Sequence, residues 1–200
     1  MVLVELLNSS NLKILTSVIS TLGTFLSGYE LTRMIISCGV LPGLTKLFEH
    51  PNRAIRKLVI WSLSNITAGD RMEIQEVINA EIFPKLINML SPAHNEAVIA
   101  KQQIYYVITN ALSRVNSDDQ IHYLIDQGVI QVLCGGLDMK SKILQVLLDG
   151  LVYLLKYGDR EKVMKIIQDC GGVERIKALQ QHRNEEVQHQ AHSILETYWK

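Results

Sequence analysis

Trp61-Ser-Leu-Ser-Asn65 sets an indole and a carboxamide four residues apart, and Tyr106-Val-Ile-Thr-Asn110 repeats the arrangement with a phenol. Residues four apart on a helix share one face, so each segment presents an aromatic ring beside an amide. An amide carries both donors and an acceptor. A row of them can bond the main chain of an extended peptide and fix its direction without reading its sequence. The rings form slots for Lys or Arg stems, with cation–π attraction of about 0.5 to 2 kcal/mol each. A second reading makes Trp61 and Tyr106 ordinary core aromatics. The recurrence of the aromatic-to-Asn spacing in one phase favours the groove, because an apolar core has little use for repeated Asn. Trp61→Ala and Asn65→Ala are then expected to weaken basic-peptide binding with little change in melting temperature.

Other chemistries lack their residues. There is no Gly-x-Ser-x-Gly elbow, P-loop or dinucleotide fingerprint, and Gly135-Gly136 and Gly171-Gly172 follow no strand, so they read as tight turns and close helix approach. His189 and His192 stand three apart without a third metal ligand in suitable spacing. No enzyme, metal or cofactor is expected. Cys38, Cys134 and Cys170 are odd in number and far apart, and are expected as reduced core thiols. Twenty basic residues balance twenty acidic ones, with no basic block to displace counterions from phosphate, which argues against a nucleic-acid partner. Glu5 interrupts the apolar start and no run approaches the roughly 20 residues that span a bilayer, so neither a signal peptide nor a membrane protein is expected.

The elements that must position the two aromatic–amide pairs belong to a repeat. Gly39-Val-Leu-Pro-Gly-Leu44, Glu81-Ile-Phe-Pro-Lys-Leu86, Gly128-Val-Ile-Gln-Val-Leu133 and Gly172-Val-Glu-Arg-Ile176 share one pattern and start 42, 47 and 44 residues apart. That period is the one of HEAT and armadillo repeats. Turn compositions follow at His50-Pro51-Asn52, Ser91-Pro92-Ala93 and Gln181-His182-Arg183-Asn184. Long helices are expected near Ile55 to Thr67, Val98 to Ser113, Lys142 to Lys156 and Glu186 to Tyr198, and shorter ones at Arg71 to Asn79 and Asp118 to Gln127. The expected fold is all-α: a right-handed solenoid of three-helix repeats, with a partial repeat over 1–28 and full ones over 30–69, 70–115, 117–157 and 159–200, forming one domain. The long third helices line its concave surface. Leu3, Leu6, Leu7, Ile14, Leu15 and Val18 have nothing earlier in the chain to cover them, so either self-association through the first repeat or a separate partner there is expected.

Trp61-Ser-Leu-Ser-Asn-Ile-Thr-Ala-Gly69 and Ile74-Gln-Glu-Val-Ile-Asn-Ala-Glu-Ile-Phe-Pro84 resemble the seventh armadillo repeat and following linker of the importin alpha family. Ile108-Thr-Asn110, Gln120-Ile-His-Tyr-Leu124, Ile176-Lys-Ala-Leu-Gln180 and Gln188 to Tyr198 continue the likeness in order. The resemblance covers essentially the whole chain as the family's C-terminal half. It implies a peptide-binding adaptor of cytoplasm and nucleus, which holds lysine-rich nuclear localisation signals along Trp61, Asn65, Tyr106 and Asn110. It further implies an export receptor at the C-terminal repeats, and the family's basic arm for importin beta is absent. Against the family's pattern, Tyr106 stands for Trp, Leu58 and Gln103 stand for acids, Ser20 and Thr24 stand for Arg and Asn, and Asp149 and Tyr153 stand where Asn is usual. Asp149 offers a carboxylate of its own in compensation. The alternative function is a diverged scaffold that binds partners without holding basic signals.

Overall fold

Asparagine opens three of the long helices. In a computed structural model that describes residues 1–91, 98–115, 117–139 and 142–200, Asn11 Oδ1 accepts from the backbone N–H groups of Lys13 and Ile14 to start α2 (Leu12–Phe25). Asn52 accepts from Ala54 to start α5 (Arg53–Thr67), and Asn184 accepts from Glu186 to start α14 (Glu185–Tyr198). Each side chain satisfies a donor that the first turn of a helix leaves over. Three of the short helices use Asp or Ser instead. Asp70 caps α6 (Arg71–Asn79) in a capping box with Glu73, Ser117 caps α9 (Asp118–Asp126), and Asp159 caps α12 (Arg160–Asp169).

A left-handed residue then turns the chain sharply into the next helix. Gly39 (φ 82°) precedes α4 (Val40–Lys46), Glu81 (φ 52°) precedes α7 (Ile82–Met89), Gly128 (φ 85°) precedes α10 (Val129–Gly136), and Gly171 (φ 72°) precedes α13 (Gly172–Leu179). At the fourth turn the residue that takes this conformation is Gly171, one earlier than the repeat pattern suggests, and Gly172 is the buried first residue of the helix. The remaining helices are α1 (Val2–Glu5), α3 (Tyr29–Ser37), α8 (Val98–Arg114) and α11 (Leu144–Tyr157), and no strand occurs among the described residues.

The helices group into two compact units, Met1–Val115 and Asn116–Lys200. In the first, α2 packs along α5 and α5 along α8. Ile55, Val59, Ile60, Leu63 and Ile66 of α5 are buried at spacings of one, three and four, each burial stabilising by about 1.5 to 3 kcal/mol. In the second, α11 packs on α14 with Leu147, Leu148, Leu151, Leu154 and Leu155 buried.

Several local expectations change. Leu7, Leu15 and Val18 are buried, Leu7 against Gly43 of α4, so the N-terminal apolar set is covered in part; Val2, Leu6, Leu12 and Ile14 stay exposed. Gly135-Gly136 closes α10 as helix rather than forming a turn. Cys38 is exposed at the end of α3 and is no core thiol, because the short α3 leaves its C-terminus at the surface. The turn expected at Ser91-Pro92-Ala93 lies, from Pro92 onward, outside the described residues.

Candidate peptide-binding face

In the first unit Trp61 and Asn65 lie on α5 and Tyr106 and Asn110 on α8, all four half-buried. Trp61 rests on Gly23 of α2: a Cβ on that glycine would overlap the indole at Cζ3. The indole is thus neither enclosed in the core nor free of it. It covers backbone on one side and keeps part of its surface in solvent.

The two asparagines do what the sequence does not announce. Asn65 Nδ2 donates to the Gly23 carbonyl at 2.8 Å, and Asn110 Nδ2 donates to the Ser64 carbonyl at 3.0 Å. Each amide therefore ties its own long helix to the one before it. The Gly23 carbonyl needs this partner, because the N–H of Ser27, four residues on, donates to Thr24 instead. Repeated Asn in this phase thus has a structural use, a correction to the premise that only a groove would call for it. Each amide keeps a second N–H, and its Oδ1 accepts no hydrogen bond among the described residues and reaches solvent.

Beside Asn65 opens a pocket of about 180 Å³ lined by Leu26, Ser27, Thr32, Ala68, Gly69 and Glu73. Glu73, on α6, is 2% exposed. Its Oε2 accepts from the Asp70 N–H at 3.0 Å, while Oε1 is buried with no hydrogen-bond partner. Gly69 makes room for it, since a Cβ there would overlap the carboxylate. Burial raises the pKa of Glu73 and the Asp70 charge adds to the rise, against the backbone hydrogen bond at Asp70 and the Arg33 charge, which lower it. Thr32 Oγ1 donates to the Leu26 and Gly28 carbonyls at 3.0 and 2.9 Å, which leaves its lone pairs as acceptors. Thr32, Asn65 and Glu73 thus line one small space together. Sequence reasoning missed Thr32, Gly23 and Glu73; the Asp-x-x-Glu spacing at Asp70 to Glu73 signals a helix start, and nothing in it shows that one carboxylate oxygen is left over.

Leu58 and Gln103, three residues before Trp61 and Tyr106, are half-buried and bring no charge to this face. Asp149 is in the second unit, exposed on α11, where it accepts from Gln190 Nε2 of α14 at 2.6 Å. Tyr153, one turn on, lies 4.6 Å from the Tyr157 ring.

Long helices braced in series, each preceded by two short ones, define an armadillo-type α-solenoid. Residues 29–68 match the model for the armadillo/beta-catenin-like repeat, and residues 161–200 match the one for the atypical Arm repeat. Importin subunit alpha-1b of Oryza sativa subsp. japonica is 36% identical across 98% of this chain and 46% of its own length. Importin subunit alpha-4 of Arabidopsis thaliana is 35% identical across 76% of this chain and 30% of its own. The chain carries armadillo repeats and is similar along most of its length to importin alpha subunits. It spans less than half the length of these relatives. A designed armadillo repeat protein solved in complex with the peptide (KR)4 superposes with a TM-score of 0.85 at 25% identity, covering 98% of this chain and 80% of that one. A computationally designed armadillo protein for modular peptide recognition gives 0.83 at 26%, covering 94% and 77%.

Proposed function

We propose that the first unit binds extended, lysine-rich peptide segments along α5 and α8, with Trp61, Asn65, Tyr106 and Asn110 against the peptide and one lysine ammonium in the pocket between Asn65 and Glu73. The observation that carries this reading is the buried, unpartnered Oε1 of Glu73. A buried carboxylate oxygen without a donor is costly to leave unmatched. An ammonium has three donors and no acceptor, which suits Glu73 Oε1, Asn65 Oδ1 and Thr32 Oγ1 taken together. Leu58 and Gln103 supply no acid, so the counter-charge comes from α6 instead of from the long helices.

On this reading the chain is an adaptor for cargo carrying lysine-rich nuclear localisation signals, working between cytoplasm and nucleus. Its kinship with importin alpha subunits and its likeness to a designed protein bound to (KR)4 support it. Asp149 adds a carboxylate on α11, and the repeats around α12 to α14 offer a surface to an export receptor. The exposed Val2, Leu6, Leu12 and Ile14 support self-association through the first unit.

The competing reading, a scaffold that no longer takes basic signals, is favoured by the bonds of Asn65 and Asn110 to neighbouring helices, which give both residues a reason to exist without a ligand. Fluorescence titration with a lysine-rich peptide and a charge-scrambled control separates the two. Binding of the first only, weakened about tenfold in Glu73→Gln, supports the adaptor. Equal affinity for both peptides, or for neither, supports the scaffold.

A further inference from the structure

In the second unit the fold brings together two cysteines that lie far apart in sequence. Cys134, on α10, is fully buried; Cys170, which ends α12, is half-buried. Gly172 clears the space beside Cys134. A Cβ on it would stand 2.5 Å from Cys134 Sγ and 2.9 Å from the Ile167 carbonyl, the same carbonyl to which Cys170 Sγ donates at 3.4 Å. Arg175 donates to the Cys170 carbonyl at 2.8 Å and to Asp138 at 2.8 Å, and its charge is felt at both sulfurs. Burial pushes the Cys134 thiol up, and the facing Cys170 pushes it further, so Cys134 stays protonated. Cys170, with part of its surface in solvent, is the sulfur that an oxidant meets first.

We propose that Cys134 and Cys170 form a dithiol that a hydroperoxide converts into an intramolecular disulfide, tying α10 to the junction of α12 and α13. The Cys170 thiolate attacks the peroxide, the O–O bond breaks, and a sulfenic acid forms as water or an alcohol leaves. The Cys134 sulfur then attacks the Cys170 sulfur, the S–O bond breaks, and the departing hydroxide takes the Cys134 proton and leaves as water. Two thiols thus lose two electrons and two protons, and the hydroperoxide is reduced.

The test is oxidation of the intact chain with hydrogen peroxide, then alkylation of the unfolded protein and peptide mapping, with the exposed Cys38 as internal reference. The expected result is a loss of about 2 Da, a Cys134–Cys170 cross-linked peptide, alkylation at Cys38 alone, a higher melting temperature, and full reversal by dithiothreitol. In Cys134→Ala the reaction stops at a Cys170 sulfenic acid that dimedone traps; should that variant fail to fold, the mapping of the wild-type chain decides by itself. Over-oxidation of Cys170 while Cys134 remains alkylatable, or disulfides formed only between chains through Cys38, would overturn the proposal.

Discussion

Asn65 closes the end of α2 from the neighbouring helix, its Nδ2 2.8 Å from a Gly23 carbonyl that the backbone of α2 leaves unpaired. This changes what Asn65→Ala should do. The sequence alone suggests a loss of peptide binding at constant stability. With the bond in view, the substitution leaves a half-buried carbonyl unsatisfied and is expected to cost about 1 to 2 kcal/mol as well, read by urea denaturation. Gly23→Ala probes the same joint from the other side. Its new Cβ would overlap the indole, so a cost of about 1 to 3 kcal/mol is expected, with weaker peptide binding because Trp61 is displaced.

Glu73→Gln should separate stability from binding. The carboxyl's pKa is raised in the folded protein above its ordinary 4.5, burial being the largest cause. A raised folded pKa means that the stability Glu73 contributes is present below the unfolded pKa and is lost as pH rises through the folded one. Glu73→Gln should therefore be more stable than wild type at neutral pH, by an amount that shrinks to nothing as the pH falls toward 4, while binding lysine-rich peptide more weakly. Denaturation curves at several pH values check it. Lower stability of the variant at neutral pH would make Glu73 a structural cap and nothing more.

On α8 the ring is a phenol, a poorer cation–π partner than an indole. Tyr106→Trp with Gln103→Glu is expected to tighten lysine-rich peptide about threefold to tenfold. The gain should shrink at high salt, since the new carboxylate's attraction is screened. Titrations at low and high ionic strength measure this, and an unchanged affinity in both would count against a groove running along α8.

Glu81 holds the left-handed position that glycine holds at the other three equivalent turns, with φ at 52°. A side chain there is strained by about 1 to 2 kcal/mol. Glu81→Gly should recover part of that, raising stability by about 1 kcal/mol in denaturant melts. A lower stability would show that the Glu81 side chain makes up for the strain.

The helices were legible because their causes are local. The Asp118-Asp119 pair marks the start of a short helix whatever the rest of the chain does, and the apolar spacing along Ile55 to Thr67 identifies a long helix before any packing is known. The aromatic–amide pairs were legible for the same reason, four residues being one turn. What stayed hidden depends on approach between elements. The bond from Asn65 to Gly23 spans 42 residues. The pocket needs α3, α5 and α6 in contact, so Glu73 reads in sequence as the partner of Asp70 and nothing else. Cys134 and Cys170 count as unrelated thiols until Gly172 is seen to let their helices close up.

The seat of the lysine ammonium is tested most directly by following the Glu73 carboxyl carbon by NMR through a pH titration, first alone and then with saturating lysine-rich peptide. An ammonium in the pocket would lower the apparent pKa of Glu73 toward or below its ordinary value, and an otherwise identical peptide with acetylated lysines would leave it raised. A peptide that binds tightly while the Glu73 titration stays where it was would contradict the assignment and move the basic side chains elsewhere on the face.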